Sequence, residues 1–354
     1  MLPSPYHTQD QATNKAPIKI SFLSLLSGGT LLFIPATWPL ILWYHKLVLT
    51  LILPLPYIFI YLCNKCVDAP HIITRESYGQ NISRYPYDYK LFHPNTFCTV
   101  CQFPKPARSR HCSRCRVCVA RADHHCIWVN NCIGFGNYKY FLALLLSMTI
   151  VLAYAAWLAY ITLASQVRDH FQRYPAMHAG PSILRVMFNS LRGTSTGGWE
   201  DRVLVWIGGW FDTIATALLV GGIAQSGVGL LALLTAPLPA GLLVYHAYLI
   251  WEGMTTYESA TWNAWRDDIA AGEAYIATIV GNDESNSSAQ QNAWPKRSRQ
   301  FLVRTSDGLP PRNVQPEIEA VVGDHAQWRR CTSLKVDNTY NLGVWRNWRD
   351  VLLN

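Results

Sequence analysis

The chain has 354 residues, half of them hydrophobic and only 15% charged, with a formal net charge of +8. Soluble domains carry about 25% charged residues, so this composition excludes an ordinary soluble globular domain and points to the membrane. A basic balance suits anionic lipid headgroups or a phosphorylated cofactor. No basic helix or aromatic stacking platform accompanies it, which argues against nucleic acid.

Residues 1–18 form a polar tail, and no signal-peptide cleavage site follows it. Residues 19–62 hold two predicted spans. The first runs from Ile20 to Ile41, with Trp38, Trp43 and Tyr44 placed as an aromatic belt. The second, Leu47 to Leu62, is short and interrupted by Pro54 and Pro56. Residues 63–139 are polar and cysteine-rich, with eleven Lys/Arg against four Asp/Glu. Residues 140–164, from Tyr140 to Ala164, form a third span. The next polar stretch, 165–202, has only five Lys/Arg and three Asp/Glu. The positive-inside rule therefore puts 63–139 in the cytosol. Residues 165–226 are read as a luminal loop with an apolar interfacial segment, and 227–250 as a fourth span. The apolar run 203–250 is also long enough for two full spans, which would move the tail to the other face. Residues 251–354 are a cytosolic tail, with helical composition from Glu252 to Ala274 and a linker at 281–300. The expected fold is a polytopic α-helical membrane protein: four transmembrane helices, with a cytosolic zinc-binding Cys-rich domain between helices 2 and 3.

Ten cysteines are present, and seven of them lie between residues 98 and 132, interleaved with His111, His124 and His125. Closed structural zinc sites take four thiolate or imidazole ligands each. Two sites need eight, and this segment offers ten. One Cys and one His are left over if each site is Cys3His. A spare thiol beside a spare imidazole is a nucleophile with its base. Counting alone does not say which thiol is spare, and a purely structural finger, as in a membrane ubiquitin ligase, satisfies the same count. A non-catalytic scaffold or transporter is a third reading. The segment lies just before a predicted span, which places it at the bilayer surface. Cys63 and Cys66, with no histidine nearby, read as surface thiols.

The run Asp123-His124-His125-Cys126, followed by Trp128-Val129-Asn130-Asn131-Cys132-Ile133-Gly134 and Asn137-Tyr138, resembles the Asp-His-His-Cys protein acyltransferase family. Thr255-Thr256-Tyr257-Glu258 resembles the family's Thr-Thr-x-Glu motif. Asn338-Thr339-Tyr340-Asn341-Leu342-Gly343 with Asn347-Trp348 resembles its aromatic C-terminal motif. One departure is Ile127, where many members have Pro.

The resemblance implies two structural Zn2+ ions, one held by Cys98, Cys101, His111 and Cys118, the other by Cys112, Cys115, His125 and Cys132. It implies that Cys126 takes a long-chain acyl group from acyl-CoA, typically palmitoyl-CoA, and passes it to protein cysteines. His124 would act as base, Asp123 would orient it, and Thr255 and Thr256 would pack against the Asp123 loop. Lys105, Arg108 and Arg110 are expected to meet the phosphates of CoA. Counting along the third span from Tyr140, the acyl chain is expected to end near Val151 to Tyr154. The runs Phe33 to Pro39 and Arg84 to Asp88 resemble a fungal branch of the family that resides in the endoplasmic reticulum membrane, faces the cytosol, and acylates membrane proteins such as SNAREs.

Overall fold

Twenty apolar residues wound at 1.5 Å each cross the roughly 30 Å hydrocarbon core, so the apolar runs set the architecture. A computed structural model describes residues 16–65, 71–94, 96–175, 199–278, 300–311, 327–332 and 338–353. Most of the polar tail, Cys66, much of the expected luminal loop and nearly all of the 281–300 linker fall outside these. Among the described residues, four apolar helical stretches are long enough to span a membrane: Ile20–Leu40, Trp43–Lys65, Tyr138–Arg173 and Trp206–Trp251. The Cys-rich segment lies between the second and third.

The chain divides into two compact units. One comprises residues 17–56 and 145–241. Its α1 (Ala16–Thr37) ends where Pro35 and Pro39 stop helical hydrogen bonding, in the 3-10 turn Trp38–Leu40. Next comes α2 (Trp43–Ile52); α3 (Leu55–Lys65), most of which belongs to the other unit, starts with Pro56 in its first turn, where a missing N–H costs nothing. Phe33, Ile41 and Leu49 pack with Leu158 and Ala159 of α5 (Tyr138–Arg173). His45 Nδ1 lies 2.8 Å from the Tyr154 hydroxyl. α5 runs nine residues beyond the predicted end at Ala164, so 165–173 is helix rather than loop.

The ambiguous apolar run is α6 (Trp199–Gly222), a π segment (Ile223–Gly227), α7 (Val228–Thr235) and α8 (Pro237–Trp251). A straight helix over Trp206–Trp251, 46 residues, would be about 69 Å long, over twice the hydrocarbon thickness. Gly222 interrupts it at φ +61°, a conformation that suits a residue without Cβ. Ser226 Oγ then donates to the Ala217 carbonyl at 2.5 Å, nine residues back, so the chain bends sharply there. Gln225 stays buried by donating to Thr162 Oγ1 at 2.5 Å and accepting from Gln166 at 3.2 Å.

The other unit comprises described residues within 57–144 and 242–354. It holds α4 (Tyr78–Arg84) and seven short strands: β1 (Ile72–Ile73), β2 (Phe97–Cys98), β3 (Phe103–Pro104), β4 (Arg110–Cys112), β5 (Val117–Val119), β6 (His124–Cys126) and β7 (Asn131–Ile133). They pair antiparallel in the orders β1-β5-β4, β2-β3 and β6-β7. After α8 comes α9 (Thr256–Ala271), opened by a Thr255–Glu258 capping box. A sheet of order β10-β8-β9 follows, from β8 (Ala274–Thr278), β9 (Gln300–Arg304) and β10 (Arg329–Arg330). The amphipathic α10 (Val344–Leu352) buries Asn347 and Val351. Cys63 is fully buried rather than a surface thiol. Its carbonyl accepts from Asn131 and Asn137, both at 3.1 Å, which ties the end of α3 to the start of β7 and to the start of α5.

Candidate active site and metal centres

Each Cys-x2-Cys makes the same tight turn. The amides of Cys101 and Cys115 point at the sulfurs of Cys98 and Cys112, both at 3.4 Å. The residue after each second cysteine, Gln102 or Arg116, turns left-handed at φ 60° or 56°. Hairpin β4-β5 sets His111 opposite Cys118, and hairpin β6-β7 sets His125 opposite Cys132. Donor atoms of Cys98, Cys101, His111 and Cys118 lie within 4.8 Å of one another, and so do those of Cys112, Cys115, His125 and Cys132.

A tetrahedral Zn2+ with bonds of about 2.0–2.3 Å sets its ligand atoms about 3.5–3.8 Å apart. His125 Nδ1 stands 3.6, 3.3 and 3.6 Å from the sulfurs of Cys112, Cys115 and Cys132. His111 Nδ1 stands 3.3 and 3.9 Å from those of Cys101 and Cys118. Both quartets therefore fit zinc in spacing and in chemistry.

Strand alternation separates two adjacent histidines. In β6, His125 points to the metal quartet, so His124 and Cys126 point to the other face. There His124 Nδ1 donates to Asp123 Oδ2 at 2.6 Å, which leaves its other nitrogen for the Cys126 thiol, its second hydrogen-bond partner. Thr256, rather than Thr255, reaches the carboxylate: its amide donates to Asp123 Oδ1 at 2.9 Å and its hydroxyl to Oδ2 at 2.8 Å. Burial opposes charge on Asp123, His124 and Cys126, but their mutual bonds prevail. Against burial, bonding to Asp123 and Cys126 raises His124 to about 9. Against burial, His124 and the amides of Val129 and Trp128 hold the Cys126 thiol below its usual value. Against burial, His124 and Thr256 hold Asp123 below its usual value. The arrangement favours a thiolate beside an imidazolium, the form in which cysteine is nucleophilic.

The three expected CoA-binding cations separate. Arg108 is corrected: with 2% exposure it pairs with Glu258, and its guanidinium also donates to the Gly253 carbonyl at 3.1 Å. No face of it is left for a phosphate. Lys105 is half-buried, and Arg110 is exposed, lying 4.4 Å over the Tyr257 ring. A cavity of about 200 Å3 is lined by Arg110, Ser113, Arg114, Asp123 and His124, among others. The C-terminal motif braces the end of the last span. Asn338 donates to Glu252 O at 2.7 Å, Asn347 to Trp251 O at 3.1 Å, and Tyr340 Oη to Pro86 O at 2.8 Å. Val151 is buried on α5. Sequence reasoning missed His246, whose ring lies 5.8 Å from that of His124, and gave no role to Tyr138, whose hydroxyl bonds to His246. An ionisable residue inside an apolar span was the available signal for His246.

Residues 91–263 match the family described as DHHC palmitoyltransferase. Palmitoyltransferase swf1 of Aspergillus fumigatus is 39% identical over 349 residues, covering 94% of this chain and 85% of its own length. The chain belongs to the DHHC palmitoyltransferase family. This DHHC protein is also similar to palmitoyltransferase SWF1 of Neurospora crassa, 36% identical over 95% of this chain and 74% of the relative. Palmitoyltransferase ZDHHC4 of Bos taurus is 45% identical over a shorter stretch, 29% of each chain. The protein is thus a multi-pass membrane S-acyltransferase of protein cysteines.

Proposed function

We propose that Cys126 carries the acyl group, with palmitoyl-CoA as donor. The observation that carries this reading is the position of Cys126 on the face of β6 opposite the zinc quartet, beside an imidazole held by a buried carboxylate. The Cys126 thiolate attacks the thioester carbonyl. The carbon–sulfur bond to CoA breaks, and the departing CoA thiolate takes the proton from His124. In the second half, His124 removes the proton of a substrate cysteine, whose thiolate attacks the Cys126 thioester and frees Cys126. Asp123 fixes the His124 tautomer, and Thr256 fixes Asp123. Zinc, when bound, would cross-link the short hairpins through Cys98, Cys101, His111 and Cys118 and through Cys112, Cys115, His125 and Cys132. Incubation with a clickable palmitoyl-CoA analogue tests the reading. Label should appear on wild-type protein, leave with hydroxylamine, and be missing from Cys126→Ser.

Arg110 and Lys105 are the proposed contacts for the CoA phosphates, and Val151 is proposed to face the end of the acyl chain. The active site is proposed to face the cytosol, with α6 lying at the opposite interface. Support for that placement is the run of exposed Trp199, Trp206, Trp210 and Phe211 on α6, as an interfacial helix carries. The residence proposed is the endoplasmic reticulum membrane. The proposed substrates are membrane proteins, SNAREs among them, with cysteines beside a span. Similarity to fungal relatives supports both proposals, and acyl exchange on SNAREs from cells lacking this chain tests the second.

A further inference from the structure

Two buried groups beside the catalytic residues have no part in the steps above. His246, on α8, is 1% exposed, and Tyr138 opens α5. The Tyr138 hydroxyl lies 2.8 Å from His246 Nδ1, its hydrogen-bond partner among the described residues. A buried phenol that accepted from Nδ1–H would leave its own proton unpaired there, which is costly. Tyr138 therefore donates and Nδ1 accepts. That leaves His246 neutral, with its proton on Nε2.

The His246 ring lies 5.8 Å from the His124 ring, tilted by 33°. Phe141 stands edge-on to both, at 5.2 and 5.1 Å. A donor or acceptor atom from each of Asp123, His124 and His246 lies within 4.8 Å of the others. Distance alone would also make these three a metal-ligand set. Their hydrogen bonds speak against it, since Asp123 already accepts from His124 and Thr256 and His246 Nδ1 accepts from Tyr138.

We propose that His246, keyed by Tyr138, is a positioning residue for acyl transfer. It presses the His124 ring into line with Asp123 and Cys126, and presents a neutral N–H to the space they share. A neutral ring can pack there without adding a charge. The proposal rests on the reading of His124 as the base for Cys126.

The test uses full-length purified variants and autoacylation rates over a range of palmitoyl-CoA concentrations, with zinc content measured on the same samples. His246→Phe keeps a ring but no polar atom. It should lower kcat about tenfold and leave KM within about twofold, as a misplaced base does. His246→Gln, whose amide nitrogen can stand where Nε2 does, should recover more rate than His246→Asn. Tyr138→Phe should lower kcat as well, and adding it to His246→Phe should cost nothing further. Zinc should be retained throughout. Wild-type kcat in His246→Phe, a change in KM alone, additive losses in the double variant, or zinc loss would each overturn the proposal. His124→Ala separates the two levels. If it acylates at the wild-type rate, the base assignment itself fails. If it is slow while His246→Phe is not, only this inference fails.

Discussion

Arg108 and Glu258 form a two-pronged ion pair, with both contacts at 2.6 Å and 2% of each side chain exposed. The guanidinium also lies 5.1 and 4.6 Å from the rings of Tyr85 and Tyr340, and Glu258 Oε2 accepts from the Thr255 amide at 2.9 Å. The pair locks the loop between Cys101 and His111 to the start of α9, which also delivers Thr256 to Asp123. Removing one partner strands a buried charge, at a cost of about 3–5 kcal/mol, whereas replacing both by apolar residues costs far less. Arg108→Met and Glu258→Leu should each lower the thermal unfolding midpoint in detergent, and the double variant should regain most of the loss. Simple addition of the two losses would show that the residues do not act as a pair.

His124 and His125 are neighbours in β6 that face opposite ways. His125→Ala should release zinc, because its Nδ1 faces three sulfurs at 3.3–3.6 Å. His124→Ala should keep its zinc and lose autoacylation, because its Nδ1 is committed to Asp123. Metal analysis of both purified variants checks this. Equal zinc content in the two would contradict the division made by the strand.

Arg110 and Lys105 are the cations proposed for CoA, with Arg108 committed to Glu258. Charge reversal at both should raise the KM for palmitoyl-CoA, with each lost charge-assisted bond costing roughly 1–3 kcal/mol if it is partly buried. Arg108→Glu should instead lower stability. An unchanged KM in the Lys105 and Arg110 variants would assign them to the surface.

Val151 tests the depth of the acyl chain. A sixteen-carbon chain spans about 20 Å, which is about thirteen residues of helix counted from Tyr140. Val151 is 6% exposed and lies one turn before Tyr154, which is bonded to His45. Val151→Trp should shift preference towards shorter acyl-CoAs, because overfilling a packed site is costly. Competition between fourteen-, sixteen- and eighteen-carbon acyl-CoAs reads this directly. An unchanged order and rate would place the chain end elsewhere.

The four apolar stretches were legible from a simple count of about twenty apolar residues per crossing. Ten Cys and His ligands pointed to two zinc sites with two groups to spare, but which residues form each quartet came from the family resemblance. What escaped depends on partners far away in the chain. Lys105, Arg108 and Arg110 look alike in sequence, and Glu258, 150 residues on, makes Arg108 a buried ion. Thr255 and Thr256 also look alike. The helix start decides between them, since the N-cap threonine turns to Glu258 and the next one to Asp123. Cys63 reads as a surface thiol until Asn131 and Asn137 close over its carbonyl. His246 sits in an apolar run whose periodicity does not tell which neighbour it faces. The helix past Ala164 was missed because its polar residues, among them Gln166 and Arg168, are good helix formers that carry no membrane signal.

The central claim is that Cys126 alone bears the acyl intermediate, and one measurement bears on it most directly. Purified wild-type protein and Cys126→Ser are incubated with a clickable palmitoyl-CoA analogue, and the labelled residue is located by mass spectrometry before and after hydroxylamine. Wild-type protein should carry a hydroxylamine-labile label on Cys126. The variant should carry none while retaining two zinc ions per chain. Undiminished labile label in Cys126→Ser, on any other cysteine, would contradict the account.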